Sequence, residues 1–400
     1  MQTFGALLVS LAAAGLATAL PTSNDGQVSV RVARNRSFRA HGPLALAKAY
    51  RKFNKPIPDD VAAAVSASQL TKRATGSVTN VPQQYDSEYL AAVQIGTPAQ
   101  TLDLAFDTGS SELWVLSAET PSGEVQGQTL YHPASSSTAR LLGGLRWNIT
   151  YEDGSSSSGD VYSDVVAVGG LQVKGQAVES AQQVSAEFTG DAASGLLGLA
   201  FGSLNTVYPT KQKTFFDNAQ ASLAAPLFTA NLNHDADGKY NFGYIDASEH
   251  TGSITYTAVD NSQGLWGFTA TGYAVGDDEP NYRPIPGIAD TGTSLLLLDD
   301  DTVRAYYAQV SGSQYDSSQG GYTFGCGASL PDFTFGVEDS SITIPGAYMN
   351  YCPTDDSGST CFGGIQSSAG IGLNIFGDVA LKAALVVFDA GNTRLGWAPK

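Results

Sequence analysis

Short apolar runs separated by glycine, hydroxyl and acidic residues recur along most of the chain. Runs rich in valine, isoleucine, tyrosine and phenylalanine predict β-strands joined by tight turns, and the 44 glycines agree with that arrangement. Residues 147–162 alternate apolar and polar positions around Asp153-Gly154 and predict a β-hairpin. A short helix is predicted over residues 302–307, where three preceding aspartates (299–301) would cap it rather than bind calcium. We therefore expect a mostly β fold.

One pattern occurs twice, in residues 105–111 and 288–294. Each copy is an apolar run that ends in Asp-Thr-Gly and continues with hydroxyl residues, so each predicts a buried strand that delivers a carboxylate into a tight turn. An apolar-apolar-Gly triplet follows each copy at a similar distance and ends at Gly198 and at Gly377. The repeat predicts two halves of similar build. A length of 400 residues also favours two lobes over one core.

The duplicated aspartates, Asp107 and Asp290, are candidates for a catalytic pair. Two carboxylates a few ångströms apart cannot both ionise at low cost, so one keeps a proton and the pair holds an acid and a base at the same pH. A water between them can lose a proton to one carboxylate while the other protonates a carbonyl oxygen. The pattern predicts hydrolysis of an acyl bond without a nucleophilic side chain.

The residues that follow each aspartate suit this chemistry. Glycine lets backbone N–H groups approach the carboxylates, and the next hydroxyl group can hydrogen-bond their outer oxygens. The two threonines can hydrogen-bond across the junction between the halves. Along the chain these residues are Thr108, Gly109, Ser110, Thr291, Gly292 and Thr293.

Four stretches resemble the pepsin-like aspartic proteases, most closely the secreted fungal members related to penicillopepsin and aspergillopepsin. They are residues 106–115, 195–202, 288–298 and 375–378, and the likeness extends from about residue 80 to the C-terminus. The resemblance implies a bilobal, mostly β fold, with two related β lobes and a cleft between them. It also implies that Asp107 and Asp290 are the catalytic pair of an aspartic endopeptidase.

The same resemblance sets expectations for domains and partners. It implies an N-terminal catalytic lobe over residues 74–247 and a C-terminal catalytic lobe over residues 248–400, with protein or peptide substrates bound in the cleft as an added strand. Activity is expected at acid pH, with a broad preference for hydrophobic residues. We expect a monomer that uses no cofactor, and the four scattered histidines argue against a metal.

The predicted hairpin resembles the flap that closes over substrate in this family. Its Tyr151 matches a tyrosine that hydrogen-bonds a tryptophan, here Trp114, and shields the aspartates from water. Asp153 matches an aspartate that can favour a basic side chain, such as lysine, just before the cleaved bond. Glu152 stands where those relatives usually carry glycine. It either adds negative potential near the cleft or points to solvent without effect.

Asn148-Ile149-Thr150 is a glycosylation sequon on the same hairpin. Strand alternation puts Asn148 on the face opposite Trp147 and Ile149, so a glycan is sterically possible. The sequence does not decide whether Asn148 carries a glycan.

The N-terminal segments predict export and processing. Residues 1–19 form an apolar stretch closed by Ala17-Thr18-Ala19, which is typical of a signal peptide. Residues 20–73 carry a net charge of +7, whereas the remainder carries −24, and the dibasic pair Lys72-Arg73 marks the border. A disordered basic tail is one interpretation; the other is a propeptide that covers an acidic cleft and inhibits the enzyme intramolecularly until low pH discharges the carboxylates.

These features predict a zymogen that is secreted to the extracellular space. Delivery to an acidic vacuole is the alternative. The acidic remainder disfavours nucleic-acid binding. No other stretch is apolar enough to span a bilayer, so we expect no membrane association.

Three cysteines leave one without a partner. The resemblance implies a disulfide between Cys326 and Cys361. Cys352 would then be free, and a Cys352 to Cys361 bridge is the alternative.

Two other functions fit the sequence less well than a protease. A binding protein on the same fold would usually have lost one aspartate, and both are present. A glycosidase also uses paired carboxylates, but that chemistry does not predict matched Asp-Thr-Gly turns in duplicated halves.

Overall fold

A computed structural model describes residues 26–34, 40–74, 89–150, 156–185, 193–355 and 357–400. The predicted signal peptide, residues 1–19, lies outside this part of the chain. The basic segment that follows contributes one strand and two helices, so the interpretation as a disordered tail is not supported: β1 (Val28–Arg34), α1 (Gly42–Lys52) and α2 (Asp59–Ala74). Helix α1 begins after the His41 cap with Pro43 in its first turn, and it ends with the basic residues Arg51 and Lys52, a distribution that suits the helix dipole.

The next part of the chain, to about the predicted lobe boundary, is built almost entirely of strands. They are β2 (Tyr89–Ile95), β3 (Gln100–Asp107), β4 (Leu113–Leu116), β5 (Arg140–Thr150), β6 (Ser156–Val168), β7 (Leu171–Val184), β8 (Gly195–Gly198), β9 (Leu227–Asn233) and β10 (Ala236–Phe242), with the short helix α3 (Phe215–Ala219).

The C-terminal part repeats this character. Its strands are β11 (Thr255–Ala258), β12 (Gly267–Ala270), β13 (Tyr273–Val275), β14 (Ile285–Ala289), β15 (Leu296–Leu298), β16 (Gln314–Asp316), β17 (Gly321–Gly325), β18 (Phe333–Val337), β19 (Ser340–Ile344), β20 (Asn350–Pro353), β21 (Thr360–Gly363), β22 (Ile365–Ser367), β23 (Asn374–Phe376), β24 (Ala384–Asp389) and β25 (Arg394–Pro399). Its helices are α4 (Asp300–Tyr307) and α5 (Asp378–Leu381). Asp299 caps α4 by accepting from the backbone N–H groups of Asp301 and Thr302, as the sequence predicted.

The described residues form four sheets. The largest has thirteen strands in the order β11-β25-β24-β9-β10-β1-β2-β3-β8-β4-β7-β6-β5, and the others are β12-β14-β23-β15-β22, β13-β18-β19 and β16-β17-β21-β20. Strand β1 from the basic segment lies between β10 and β2, antiparallel to both. One strand of the basic segment is therefore internal to the largest sheet.

The two Asp-Thr-Gly patterns occupy equivalent strand frameworks. Strand β3 pairs in parallel with β8, which pairs antiparallel with β4, and β4 pairs in parallel with β7. Strand β14 pairs in parallel with β23, which pairs antiparallel with β15, and β15 pairs in parallel with β22. The bilobal, mostly β prediction is confirmed, and the apolar-apolar-Gly triplets are the strands beside each aspartate.

The packing of α1 and α2 determines what covers the centre of the molecule. Their buried apolar side chains join a core cluster with the C-terminal strands rather than a core of their own. The helix members are Leu46, Ala47, Ala49, Tyr50, Val61 and Val65, and the strand members include Leu297, Phe362 and Ile375. Each large side chain buried in this way contributes about 1.5–3 kcal/mol, so both helices are held on the C-terminal half mainly by burial.

Cys352 and Cys361 lie on adjacent strands of one small sheet, and Cys326 directly follows its strand β17. Cys326 and Cys361 form a disulfide, and Cys352 is a buried free thiol. In the β20–β21 pairing Cys352 is opposite Phe362, whereas Cys361 is opposite Pro353. Successive side chains of a strand alternate between faces, so Cys352 and Cys361 point away from each other and the alternative bridge is disfavoured.

No described helix is both long and apolar enough to cross a membrane.

Candidate active site

Asp107 and Asp290 lie at matching points of the two frameworks. Asp107 is the last residue of β3, and Asp290 follows β14 directly. Their residues are only 1% and 0% exposed. The repeated sequence pattern therefore delivers two carboxylates to the junction of the two halves.

Each carboxylate is held by the turn that follows it, with the same bonds on both sides. The Gly109 N–H donates to Asp107 Oδ1 at 2.8 Å, and Ser110 Oγ donates to Oδ2 at 2.6 Å. The Gly292 N–H donates to Asp290 Oδ1 at 2.9 Å, and Thr293 Oγ1 donates to Oδ2 at 2.6 Å. The four predicted neighbours, Gly109, Ser110, Gly292 and Thr293, are thus brought together around the pair.

Glycine is required in both turns by the close approach of the opposite half. A Cβ atom on Gly109 would lie 2.6 Å from Asp290 Oδ1, and one on Gly292 would overlap Asp107 Oδ1. The absence of side chains lets each turn pack against the carboxylate of the other half.

The two turns are also bonded to each other. The Thr108 hydroxyl donates to the Ala289 carbonyl at 2.9 Å, and the Thr291 hydroxyl donates to the Phe106 carbonyl at 2.7 Å. Each threonine therefore attaches its turn to the strand that carries the other aspartate.

Lys52, the last residue of α1, contacts both carboxylates. Its Nζ lies 2.6 Å from Asp107 Oδ1 and 2.7 and 2.9 Å from the two oxygens of Asp290. Sequence reasoning predicted that the basic segment would cover an acidic cleft, but it did not single out Lys52 among ten lysines and arginines. No local pattern in the sequence distinguishes Lys52 from the other nine.

The two aspartates differ in pKa although Lys52 contacts both. Burial raises the pKa of Asp107, but the Lys52 charge and the bonds from Ser110 and Gly109 outweigh burial and hold it below its ordinary value. For Asp290, burial and the Asp107 charge outweigh Lys52, and its pKa is raised. Burial lowers the pKa of Lys52, yet the two carboxylates outweigh it and keep the ammonium charged. The pair is electrostatically asymmetric, with the proton favoured on Asp290.

Two further contacts attach the basic segment away from the aspartates. Tyr315 Oη donates to Asp60 Oδ2 at 2.6 Å, which joins the start of α2 to β16. Arg34 Nη1 donates to Asp235 Oδ1 at 2.9 Å at the end of β1. The segment is therefore attached through β1, through α1 at the carboxylates and through α2.

The base of the predicted flap packs against the strand that follows Asp107. Trp147 on β5 stacks on Trp114 on β4, with ring centroids 6.1 Å apart, and Trp147 Nε1 donates to the Ser180 carbonyl. Asn148 is exposed on β5. Tyr151, Glu152 and Asp153 lie outside the described residues, so their predicted roles stay predictions.

Within the described residues, no group of three or more histidine, cysteine, aspartate and glutamate side chains is arranged to hold a metal ion.

Comparisons with known proteins agree with this geometry. The family model described as eukaryotic aspartyl protease matches residues 88–400. The chain is 58% identical to endothiapepsin of Cryphonectria parasitica, over 96% of this chain and 92% of that protein. It is 53% identical to aspergillopepsin-1 of Aspergillus oryzae, over 98% of each chain, and 53% identical to penicillopepsin-3 of Penicillium janthinellum, over 88% of this chain and 87% of that protein. Among solved structures it is similar to an aspartic proteinase from Irpex lacteus, with a TM-score of 0.64 and 26% identity over 78% of this chain and 94% of that one.

Proposed function

The chain belongs to the eukaryotic aspartyl protease family and is an aspartic endopeptidase, and we propose that it is made as a secreted zymogen that acts at acid pH through Asp107 and Asp290. One observation carries the proposal. The Lys52 ammonium lies within hydrogen-bond distance of both carboxylates, between the two halves.

The proposed chemistry uses the two aspartates as base and acid. The ionised member takes a proton from a water held between them, and the protonated member donates to the oxygen of the peptide carbonyl. The water oxygen bonds to the carbonyl carbon, and the C–N bond breaks when the leaving nitrogen receives the proton that the base took from the water. One hydroxyl group of the tetrahedral intermediate returns its proton to the other aspartate as the new carboxyl group forms. In the Lys52-bound state the raised pKa of Asp290 and the lowered pKa of Asp107 make Asp290 the protonated member, and the roles of acid and base in catalysis belong to the coupled pair.

The basic segment, residues 20–73, is the proposed propeptide and intramolecular inhibitor. Lys52 occupies the position that the hydrolytic water needs, and α1 and α2 cover strands that would otherwise face the substrate. A lowered carboxyl pKa stabilises the closed state above that pKa, and this stabilisation is lost as the pH falls through it. Acid therefore weakens the contact between Lys52 and Asp107.

Processing after Lys72-Arg73 would leave a mature monomer whose lobes are residues 74–247 and 248–400. Its cleft would bind an extended peptide and prefer hydrophobic residues, with Asp153 and Glu152 favouring lysine before the cleaved bond. Tyr151 and Trp114 would exclude water when the flap closes. The exposure of Asn148 supports a glycan at that sequon.

The test is an acid proteolysis assay on the purified full chain. The protein is incubated at acid and at neutral pH with a denatured protein substrate, with and without a pepstatin-type inhibitor. Peptide release at acid pH that the inhibitor blocks is expected. Release that the inhibitor does not affect would reject the aspartate mechanism, and full activity at neutral pH before any cleavage of the chain would reject the zymogen.

A further inference from the structure

A second pair of carboxyl groups lies behind the turn that carries Asp107. Glu112 follows Ser110-Ser111 directly, and Glu179 is in the middle of β7. The parallel pairing of β4 with β7 sets Trp114 opposite Glu179 and brings the two glutamates into one buried region. They are 4% and 1% exposed.

The two carboxyl groups accept different numbers of hydrogen bonds. Glu112 Oε2 accepts from the Ser111 N–H at 3.1 Å, and its Oε1 accepts from the Thr206 N–H at 2.9 Å. Glu179 Oε1 accepts from Asn205 Nδ2 at 3.1 Å, but its buried Oε2 accepts no hydrogen bond within the described residues. Burying an oxygen that accepts no hydrogen bond costs much more free energy on a charged carboxylate than on a neutral carboxyl group.

Asn205 connects this pair to the turn behind Asp107. Its Nδ2 also lies 3.4 Å from the Ser111 carbonyl. Ser111 is thus held on its N–H by Glu112 and on its carbonyl by Asn205, and the neighbouring Ser110 donates to Asp107. Movement of the two glutamates would therefore reach the Asp107 carboxylate through one turn of backbone.

No cation compensates the pair within the described part of the chain. Burial raises the pKa of Glu112, and burial together with the Glu112 charge raises that of Glu179 well above its ordinary value. The other titratable side chains on the surrounding elements are exposed or bonded elsewhere: Asp107, Glu119, Glu124, Tyr131, Arg146, Asp160, Tyr162, Asp164, Lys174, Tyr208, Lys211, Lys213 and Asp217.

We propose that Glu112 and Glu179 share one proton, that this protonated pair positions the Ser110–Ser111 turn behind Asp107, and that loss of the proton destabilises the N-terminal half as the pH rises. The effect of the pair on stability follows from its geometry alone, whereas its role in positioning the turn rests on the proposed function. Glu112 and Glu179 are positioning residues here, because neither contacts the reacting atoms.

The sign of the effect follows from proton linkage. An unfolded glutamate releases its proton near pH 4.3, whereas the folded pair retains one to higher pH. The folded state then binds more protons than the unfolded state, so the free energy of unfolding falls as the pH rises through that window. Replacing Glu179 with glutamine keeps the shape of the side chain and removes this proton difference.

The first experiment measures urea unfolding of the purified full chain by tryptophan fluorescence from acid to neutral pH. Glu179→Gln and Glu112→Gln are compared with wild type and with Glu279→Gln, which changes an exposed glutamate far from the pair. Both buried variants should lose less stability than wild type as the pH rises, because each leaves a single carboxyl group, while Glu279→Gln should follow wild type. A folded Glu179→Gln or Glu112→Gln protein with the wild-type pH dependence would overturn the proposal.

The second experiment measures kcat and KM of the processed enzyme against pH, at pH values where unfolding shows that it is folded. In either buried variant, the decrease of kcat with rising pH should begin at a higher pH than in wild type, with little change in KM. If the stability of a variant depends less on pH than that of wild type but its kcat decreases at the same pH, the positioning role is rejected. If wild type had no peptidase activity, the proposed function would fail, and the unfolding experiment would still decide whether the proton is shared.

Discussion

Thr108 and Thr291 donate their backbone N–H groups to each other's hydroxyl oxygens, at 3.1 and 3.0 Å. Each hydroxyl also donates to a carbonyl of the opposite strand. Four hydrogen bonds therefore connect the two halves directly beneath the carboxylates. These bonds join the two turns that carry Asp107 and Asp290.

Removing one hydroxyl should loosen this junction. Thr108→Val keeps the shape of the side chain but removes the hydrogen bonds to the Thr291 N–H and the Ala289 carbonyl, so we expect a loss of about 1–3 kcal/mol in the free energy of unfolding. Urea unfolding of the full chain measures the change. Thr108→Ser is the control because it keeps the hydroxyl. Equal stability of Thr108→Val and wild type would show that the threonine bonds do not hold the halves together.

The site divides clearly into a part that could be predicted and a part that could not. The Asp-Thr-Gly turns and their strands are local patterns, so the sequence predicted the environments of Asp107 and Asp290. Lys52 and Glu179 depend on long-range geometry. Lys52 reaches the aspartates because α1 packs on the C-terminal strands, and Glu179 meets Glu112 only through the β4–β7 register. Neither arrangement leaves a local signal, since one lysine among ten and one glutamate within a strand look ordinary.

Replacing either aspartate should abolish catalysis without unfolding the protein. Asp107→Asn or Asp290→Asn leaves one carboxyl group, which cannot be base and acid together, so kcat should fall by about 10²–10⁴-fold or more. The processed enzyme is assayed after removal of residues 20–73 by an added protease. Asp260→Asn, an exposed change, is the control. Turnover within about tenfold of wild type in either folded variant would contradict the paired mechanism.

Lys52 should determine how firmly residues 20–73 inhibit. In Lys52→Met the ammonium contact is lost but the apolar helix packing stays, so inhibition of the processed enzyme by the isolated segment should weaken by about tenfold or more, equivalent to about 1.4 kcal/mol. Lys55→Met carries the same change of charge away from the aspartates and should inhibit as wild type does. Equal inhibition constants for all three segments would assign inhibition to helix packing alone.

The inhibition by this segment should also depend on pH. The pKa of Asp107 is lowered by Lys52, so the contact stabilises the closed state at higher pH and is lost as the pH falls through that value. Inhibition by the wild-type segment should therefore weaken from neutral to acid pH, and more steeply than inhibition by the Lys52→Met segment. If inhibition by both segments weakened equally from neutral to acid pH, the contact of Lys52 with Asp107 would not be the cause of the pH dependence.

The dibasic pair predicts where the chain is processed. Lys72-Arg73 lies in the last turn of α2, which ends at Ala74. Cleavage after this pair therefore requires the last helical turn to open. N-terminal sequencing of the secreted product should give a start at or very near Ala74. Replacing both residues with glutamine should retain the segment on the product. A mature protein that begins near residue 20 would exclude residues 20–73 as a propeptide.

Glu152 offers the test of substrate preference that is specific to this chain. A carboxylate between Tyr151 and Asp153 would add negative potential over a bound peptide, so lysine before the cleaved bond should be tolerated better than in an enzyme with glycine there. Paired peptides that differ only by lysine or leucine at that position are compared on wild type and Glu152→Gly. The ratio of kcat/KM for lysine to that for leucine should fall in the variant. Glu279→Gln controls for the loss of one negative charge elsewhere. An unchanged ratio in Glu152→Gly would mean that Glu152 points to solvent and acts at most by stiffening the flap, because glycine would also make the hairpin more flexible.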